Sequence, residues 1–154
     1  MKNKRPYAEA LAIADNLVDM LLLACERIEI AGSLRRKKAE IGDIEIVAIP
    51  WTSAITDLFG TETKRISMVD IDLAESGVVF TKNGDKYKQF EYGGMTVDLF
   101  LATRETWGII YLIRTGPAEF SHWLVTHRYL GGAMPDRMRC QDGRFLAWLR
   151  VTDE

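Results

Sequence analysis

The sequence predicts an α+β fold, a mixed sheet with flanking helices followed by a small C-terminal lobe built from a helix pair and a β-hairpin. Three observations predict it. An amphipathic pattern opens the chain, with apolar residues at helical spacing through residues 11–25. Short β-branched or aromatic runs at 27–30, 43–49, 77–81, 87–92 and 95–101 follow, punctuated by Gly, Asn or Pro. Beyond residue 104 the period turns helical again, breaks at Thr115-Gly116-Pro117, and ends on an Asp142-Gly143 turn.

Taken in order, Pro6 suits the first helical position, and Leu11, Ala14, Val18, Leu21, Leu22 and Cys25 form one apolar face. Arg27 to Ile30 alternates as a strand. Ser33 is placed to cap a short helix opened by Leu34-Arg35-Arg36-Lys37-Lys38, which breaks before Gly42. The strand over 43–49 ends at Pro50, which has no N–H to donate to a central ladder. Residues 53–60 read as a short helix stopped by Gly60, and 61–75 give a mixed signal. Asn83-Gly84 joins the strands 77–81 and 87–92 as a hairpin. Gly93-Gly94 then leads into 95–101, with Val97, Leu99 and Leu101 on one side and Asp98 and Phe100 on the other. Two helices, 105–114 and 117–130, precede the tail hairpin over 137–149. Trp107 and Tyr111, one helical turn apart, read as core, and His127 reads as a packed histidine on the stripe of Phe120, Trp123 and Leu124.

A length of 154 residues suits one ordinary domain with two lobes, residues 1–104 and 105–154. The content, 47% hydrophobic and 27% charged, is that of a soluble globular protein. No apolar run approaches the roughly 20 residues of a membrane span. Lys2, Lys4 and Arg5 are not followed by an apolar segment of the kind a secretory signal requires, so a cytoplasmic location is expected. Cys25 and Cys140 belong to no CxxC or Cys/His cluster and read as reduced thiols. The net charge of −2 argues against coating of nucleic acid by bulk charge but leaves room for a local basic groove at 35–38, 82–88 or 137–144.

The stretch that carries chemistry is AGSLRRKKAEIGDIEIVAI, residues 31–49. Asp43 and Glu45, two apart on a strand, share one face and repel each other. A hard divalent cation, Mg²⁺ or Mn²⁺, is the ligand that suits such a pair; a merely solvated strand face is the alternative. The Gly32-Ser33 turn, followed by Arg35 and Arg36, makes an anion site suited to a polyphosphate. Asp98, embedded in the apolar run 95–101, needs a partner, and the same cation supplies one. Asp70 and Asp72 form another i, i+2 pair, read as a solvated face because no Gly-rich turn precedes it. Lys82, Lys86 and Lys88, with Arg137 and Arg139, are candidates for a nucleic-acid backbone or, equally, for solubility and edge protection.

The order strand, Gly-Ser, Arg-Arg, Gly-Asp-x-Glu, then a later acid in GGMTVDLFLA and a Thr-Gly turn in WGIIYLIRTGPAEFSHWL, resembles the polymerase-beta-type nucleotidyltransferases, and in particular family-X DNA polymerases of the short, phage-encoded kind. The resemblance covers roughly residues 8–130. It implies a polymerase-beta-like palm and transfer of a dNMP from a dNTP to a primer 3′-hydroxyl, with gap-filling repair as a setting. Asp43, Glu45 and Asp98 are then the catalytic and metal-binding acids, with Mg²⁺ or Mn²⁺ as cofactor. Gly32, Ser33, Arg35, Arg36, Thr115 and Gly116 are the nucleotide-binding residues. Primer-template or gapped DNA and dNTP are the expected partners, with no membrane; the expected state is a monomer, in the host cytoplasm if phage-encoded.

Three departures from the family pattern bear on these expectations. The chain writes D-x-E for the usual D-x-D, keeping the charge. Ile113-Arg114 stand where the larger polymerases carry a Tyr-Phe pair near the sugar, which leaves the choice between deoxyribose and ribose open. The chain begins almost at the palm helix, so neither a lyase nor a helix-hairpin-helix domain is expected. Two other readings stand beside the polymerase: a nucleotidyltransferase with a non-DNA acceptor, and a non-catalytic palm that binds DNA.

Overall fold

A computed structural model describes residues 4–147; residues 1–3 and 148–154, the outer ends of the two predicted lobes and of the predicted tail hairpin, lie outside the described residues. The chain enters through β1 (Arg5–Pro6) and α1 (Tyr7–Leu21). Pro6 is the residue before the helix, where its fixed φ and missing N–H cost nothing. Ala10, Ala14, Leu17 and Leu21 form the buried stripe. Leu11 and Val18 of the predicted face are partly buried beside this stripe, and after Leu21 the α-helix gives way to a tighter 3₁₀ turn over Leu22–Ala24. Leu23 is thereby left 91% exposed, while Cys25 opens β2 (Cys25–Ile30) as a buried residue.

After β2 come the single turn α2 (Gly32–Arg35), β3 (Glu40–Ile41) paired with β1, and β4 (Ile44–Pro50). The helix predicted over 53–60 is instead the hairpin of β5 (Thr52–Thr56) and β6 (Glu62–Ser67). Local chemistry explains the difference: Asp57 Oδ1 accepts from the N–H groups of Phe59 and Thr61, folding the chain back on itself. Flanking Thr and Ile then favour extended backbone. The mixed signal that follows resolves into α3 (Met68–Glu75), so Asp70 and Asp72 lie on a helix and do not share a strand face.

The remaining elements are β7 (Phe80–Asn83), β8 (Tyr87–Tyr92), β9 (Met95–Leu101), α4 (Trp107–Thr115), α5 (Ala118–Val125), a 3₁₀ turn at Arg128–Leu130, β10 (Met138–Gln141) and β11 (Arg144–Ala147). Because α5 stops at Val125, His127 is not on the predicted helical stripe; it bridges to Met134 and stacks on Tyr129.

The central sheet is mixed, with order β2-β4-β9-β8-β7. Only the β4–β9 pair is parallel; the other neighbours run antiparallel. One face is covered by α1 and α3, which bury Ile44, Ile46, Ala48, Val97, Leu99 and Phe90. Opposite them, α4 covers only part of the sheet, with Trp107 against Ala31, Val47, Ile49 and Ala102. The uncovered part of that second face carries the polar side chains considered next. Among the described residues no helix is long and apolar enough to cross a membrane.

Candidate active site

Strand alternation separates core from chemistry. In β4, Ile44, Ile46 and Ala48 turn to the helix-covered face, which leaves Glu45 with Val47 on the other. In β9 the same alternation buries Val97, Leu99 and Leu101 and leaves Asp98 and Phe100 half-buried. The parallel register sets Glu45 directly beside Asp98. Neighbouring strands lie about 4.8 Å apart, so two carboxylates meet on adjacent strands. Asp43 immediately precedes β4. Burial, then the negative charges of Asp43 and Asp98, push the Glu45 carboxyl above its usual range, while Arg114 and Arg36 pull it back. Three acids and two arginines therefore share one local field.

Asp98 is held. Its Oδ1 accepts a hydrogen bond from the Tyr87 hydroxyl at 2.5 Å and another from Gln89 Nε2 at 2.8 Å. The Tyr87 hydroxyl is pushed up to about 12, first by burial and then by its hydrogen bond to Asp98 and that group's charge. The Tyr87 ring stacks on Phe100 with centroids 5.1 Å apart. Arg114 lies over the Phe100 ring at 4.0 Å, and Lys82 Nζ is 5.4 Å from the Tyr87 ring centroid. Cation, ring, ring and cation thus line up beside the acid.

On the β2 side of the acids lies the Gly32 turn. Gly32 has φ +60°, and a Cβ there would stand 1.6 Å from Glu45 Oε2. Only glycine lets this backbone lie against the carboxylate. The Ala31 N–H donates to the Glu45 carbonyl at 2.8 Å, locking turn to strand. Ser33 is not the cap that the sequence predicts: Ala31 holds that position and no side chain caps the turn. Ser33 Oγ is instead buried without a hydrogen-bond partner.

Arg36 reaches the Thr-Gly turn, where its Nη1 donates to the carbonyls of Thr115 and Gly116 at 2.9 and 3.0 Å. Its Nε and the Thr115 Oγ1 are both buried and unpartnered. Buried polar atoms are normally satisfied; Ser33 Oγ, Arg36 Nε and Thr115 Oγ1 are, among the described residues, three of the five buried side-chain atoms with no partner, the others being Ser67 Oγ and His127 Nδ1. Arg35 is exposed and lies 5.5 Å from the Tyr111 ring. Of the six residues assigned to nucleotide binding, Arg36 is hydrogen-bonded to the carbonyls of Thr115 and Gly116 and, through its own N–H, to the Gly32 carbonyl, while Ser33 lies in the same turn and Arg35 is exposed.

A cleft of about 560 Å³ opens on the other side of the acids, floored by Glu45 and Asp98 and walled by Tyr87, Phe100, Ile113 and Arg114. Its rim is the Asp142-Gly143 turn, tied to the sheet by Lys86 Nζ, 3.1 Å from Asp142 Oδ1. A pair of hard carboxylates, one of them raised first by burial and then by its acidic neighbours, fits a divalent cation in charge and donor type. Among the described residues, however, no three Asp, Glu, His or Cys side chains form a ready cation cage. Glu45 is packed against Gly32, and Asp98 is held from the β8 side.

The basic residues singled out for nucleic acid divide. Lys88 is a correction: it is 3% exposed, with Nζ 2.6 Å from Asp70 Oδ1 and 2.6 Å from Asn83 Oδ1, and offers nothing to a backbone phosphate. Asp70 is accordingly not the merely solvated acid that its spacing suggests. Lys86 is paired with Asp142, and Lys82 sits by the Tyr87 ring. Arg137 and Arg139 are exposed. Tyr87, Gln89 and Arg114 were not among the predicted site residues. A signal for two of them exists in the sequence: a two-residue Gly93-Gly94 turn fixes Tyr92 opposite Met95 and hence Gln89 opposite Asp98.

No family model matches the chain, and no curated protein matches it.

Proposed function

We propose that this chain is a metal-dependent nucleotidyltransferase with a polymerase-beta-like palm, which adds a dNMP from a dNTP to a primer 3′-hydroxyl. The observation that carries the reading is the in-register pair of carboxylates, Glu45 and Asp98, with the Gly32 turn seated against Glu45. Ser33 Oγ, Arg36 Nε and Thr115 Oγ1 are buried polar atoms without a partner in the segments joined to that turn. A triphosphate brings acceptor oxygens for donors of this kind. Ser33 and Arg36 bind the β- and γ-phosphates, while the Thr115-Gly116 turn, gripped by Arg36, lies along the nucleotide. Asp43, Glu45 and Asp98 would hold Mg²⁺ or Mn²⁺, which when bound lowers the pKa of the attacking hydroxyl and neutralises the leaving pyrophosphate. Phosphoryl transfer depends mostly on positioning and charge, which is what these side chains supply.

A second reading, transfer to an acceptor other than DNA, is favoured by one observation. Two of the five basic residues proposed for DNA contact are engaged with acids of the chain, Lys88 with Asp70 and Lys86 with Asp142. The two readings separate in one assay, a labelled primer-template incubated with separate dNTPs or NTPs and Mg²⁺ or Mn²⁺. Templated extension is the result expected. Labelling of another acceptor moves the assignment to the second reading, and a gel shift without extension removes the enzymatic one.

A further inference from the structure

We propose that Tyr87 and Gln89 are positioning residues that hold the Asp98 carboxylate in the one orientation in which it receives the divalent cation; this rests on the metal-dependent reading above. Both donors converge on the same oxygen, Oδ1, at 2.5 and 2.8 Å. Gln89 stands opposite Asp98 in the β8–β9 register and Tyr87, two residues away on the same face, stands opposite Phe100 and reaches Asp98 diagonally, so the backbone register of a hairpin aims both. A carboxylate with one oxygen fixed by two donors cannot spin about its Cβ–Cγ bond, and the other oxygen keeps a constant direction. Strand neighbours put Tyr87 and Gln89 on the β8 side of Asp98 and Glu45 on the β4 side. The fixed edge therefore faces away from the other acids, and the free edge is left for the site they share.

The Tyr87 ring is in turn immobilised by its stack on Phe100, over whose ring Arg114 also lies. A hydroxyl on a ring packed in this way loses little freedom in donating. Partners of this kind orient metal ligands, and their removal typically costs about 10- to 100-fold in metal affinity or activity. A tyrosine kept only for packing would need neither the hydroxyl nor a second donor on the same oxygen.

The test is a manganese titration of the full chain, read by the electron paramagnetic resonance of free Mn²⁺, so that neither nucleotide nor acceptor is needed. Tyr87→Phe keeps the ring and its stack and removes only the donor. The expected result is a half-saturation for Mn²⁺ about tenfold higher than in the wild type, with the thermal midpoint of unfolding little changed. Gln89→Met is expected to weaken binding in the same direction, and it carries the test if Tyr87→Phe does not fold. A variant titration that superimposes on the wild type, or is tighter, overturns the positioning role while leaving the metal reading intact. A wild type that binds no Mn²⁺ overturns both.

Discussion

Arg36 joins two segments 79 residues apart: its Nη1 donates to the carbonyl of Thr115 at 2.9 Å and, beside it, to that of Gly116 at 3.0 Å. The grip fixes the junction between α4 and α5 against the α2 turn. Hydrogen bonds from a charged donor contribute about 1.5–3 kcal/mol. Arg36→Met, which keeps the stem but removes the fork, is expected to lower unfolding stability by about 2–3 kcal/mol in a denaturant titration. A loss under about 0.5 kcal/mol, the size of an ordinary surface substitution, would show that the contact does not link the two segments.

The buried Lys88 gives a second expectation, because its two partners are not equivalent. Asp70 is a charge and half exposed, whereas Asn83 is neutral. Removing one member of a buried pair leaves the other uncompensated, which costs up to about 3–5 kcal/mol. Asp70→Ala is therefore expected to destabilise more than Lys88→Met, which removes the buried charge altogether. Equal losses in thermal unfolding would mean that Asn83 and the carbonyl of Gly84 suffice to hold the ammonium. Lys88→Met should also leave any affinity for DNA unchanged, since the group does not reach solvent.

What could be read in the sequence follows from the range of the forces involved. Alternation along β9 placed Asp98 and Phe100 on one side and Val97, Leu99 and Leu101 on the other, as observed, because strand geometry is local. The Asp142-Gly143 turn was equally legible: Asp142 and Gly143 both adopt positive φ, which these residue types tolerate. Residues 53–60 read as a helix in the sequence although they belong to the hairpin over 52–67, because its decisive bonds, from Phe59 and Thr61 to Asp57, belong to a side chain acting as a turn former and not to any periodicity. Lys88 was misread because its partner Asp70 is on another element, and no spacing rule connects positions 70 and 88. The grip of Arg36 on residues 115 and 116 was out of reach for the same reason: it depends on packing.

The pH dependence of stability should carry the mark of Glu45. Its carboxyl is raised in the folded chain, first by burial and then by Asp43 and Asp98. A raised carboxyl favours folding while it is protonated in both states, below its unfolded value of about 4.3. That contribution is lost as pH rises through the folded value. Glu45→Gln, which stays neutral, should therefore be more stable than the wild type at pH 8 and show no such advantage at pH 4. The difference in unfolding free energy between the two pH values checks this. If the acids bind Mg²⁺, adding it at pH 8 should stabilise the wild type more than the variant.

Gly32 provides the sharpest prediction, because two separable effects act on one atom. A Cβ at this position meets φ +60°, a conformation that costs an L-residue roughly 1–2 kcal/mol. It also meets Glu45 Oε2 at 1.6 Å and Cδ at 2.6 Å, so the carboxylate must leave its place. Overpacking of this sort typically costs about 1–3 kcal/mol more. Gly32→Ala is thus expected to lose about 2–5 kcal/mol. In Gly32→Ala with Glu45→Ala, the clash with the carboxylate disappears but the backbone strain remains, as does a 3.0 Å approach to the Cβ of residue 45. The double variant should therefore recover only part of the loss, and a double-mutant cycle on unfolding free energies measures that part as the coupling between turn and strand. Strict additivity would mean that the turn yields without disturbing Glu45, and the close seating of Gly32 on the carboxylate would then have no energetic consequence.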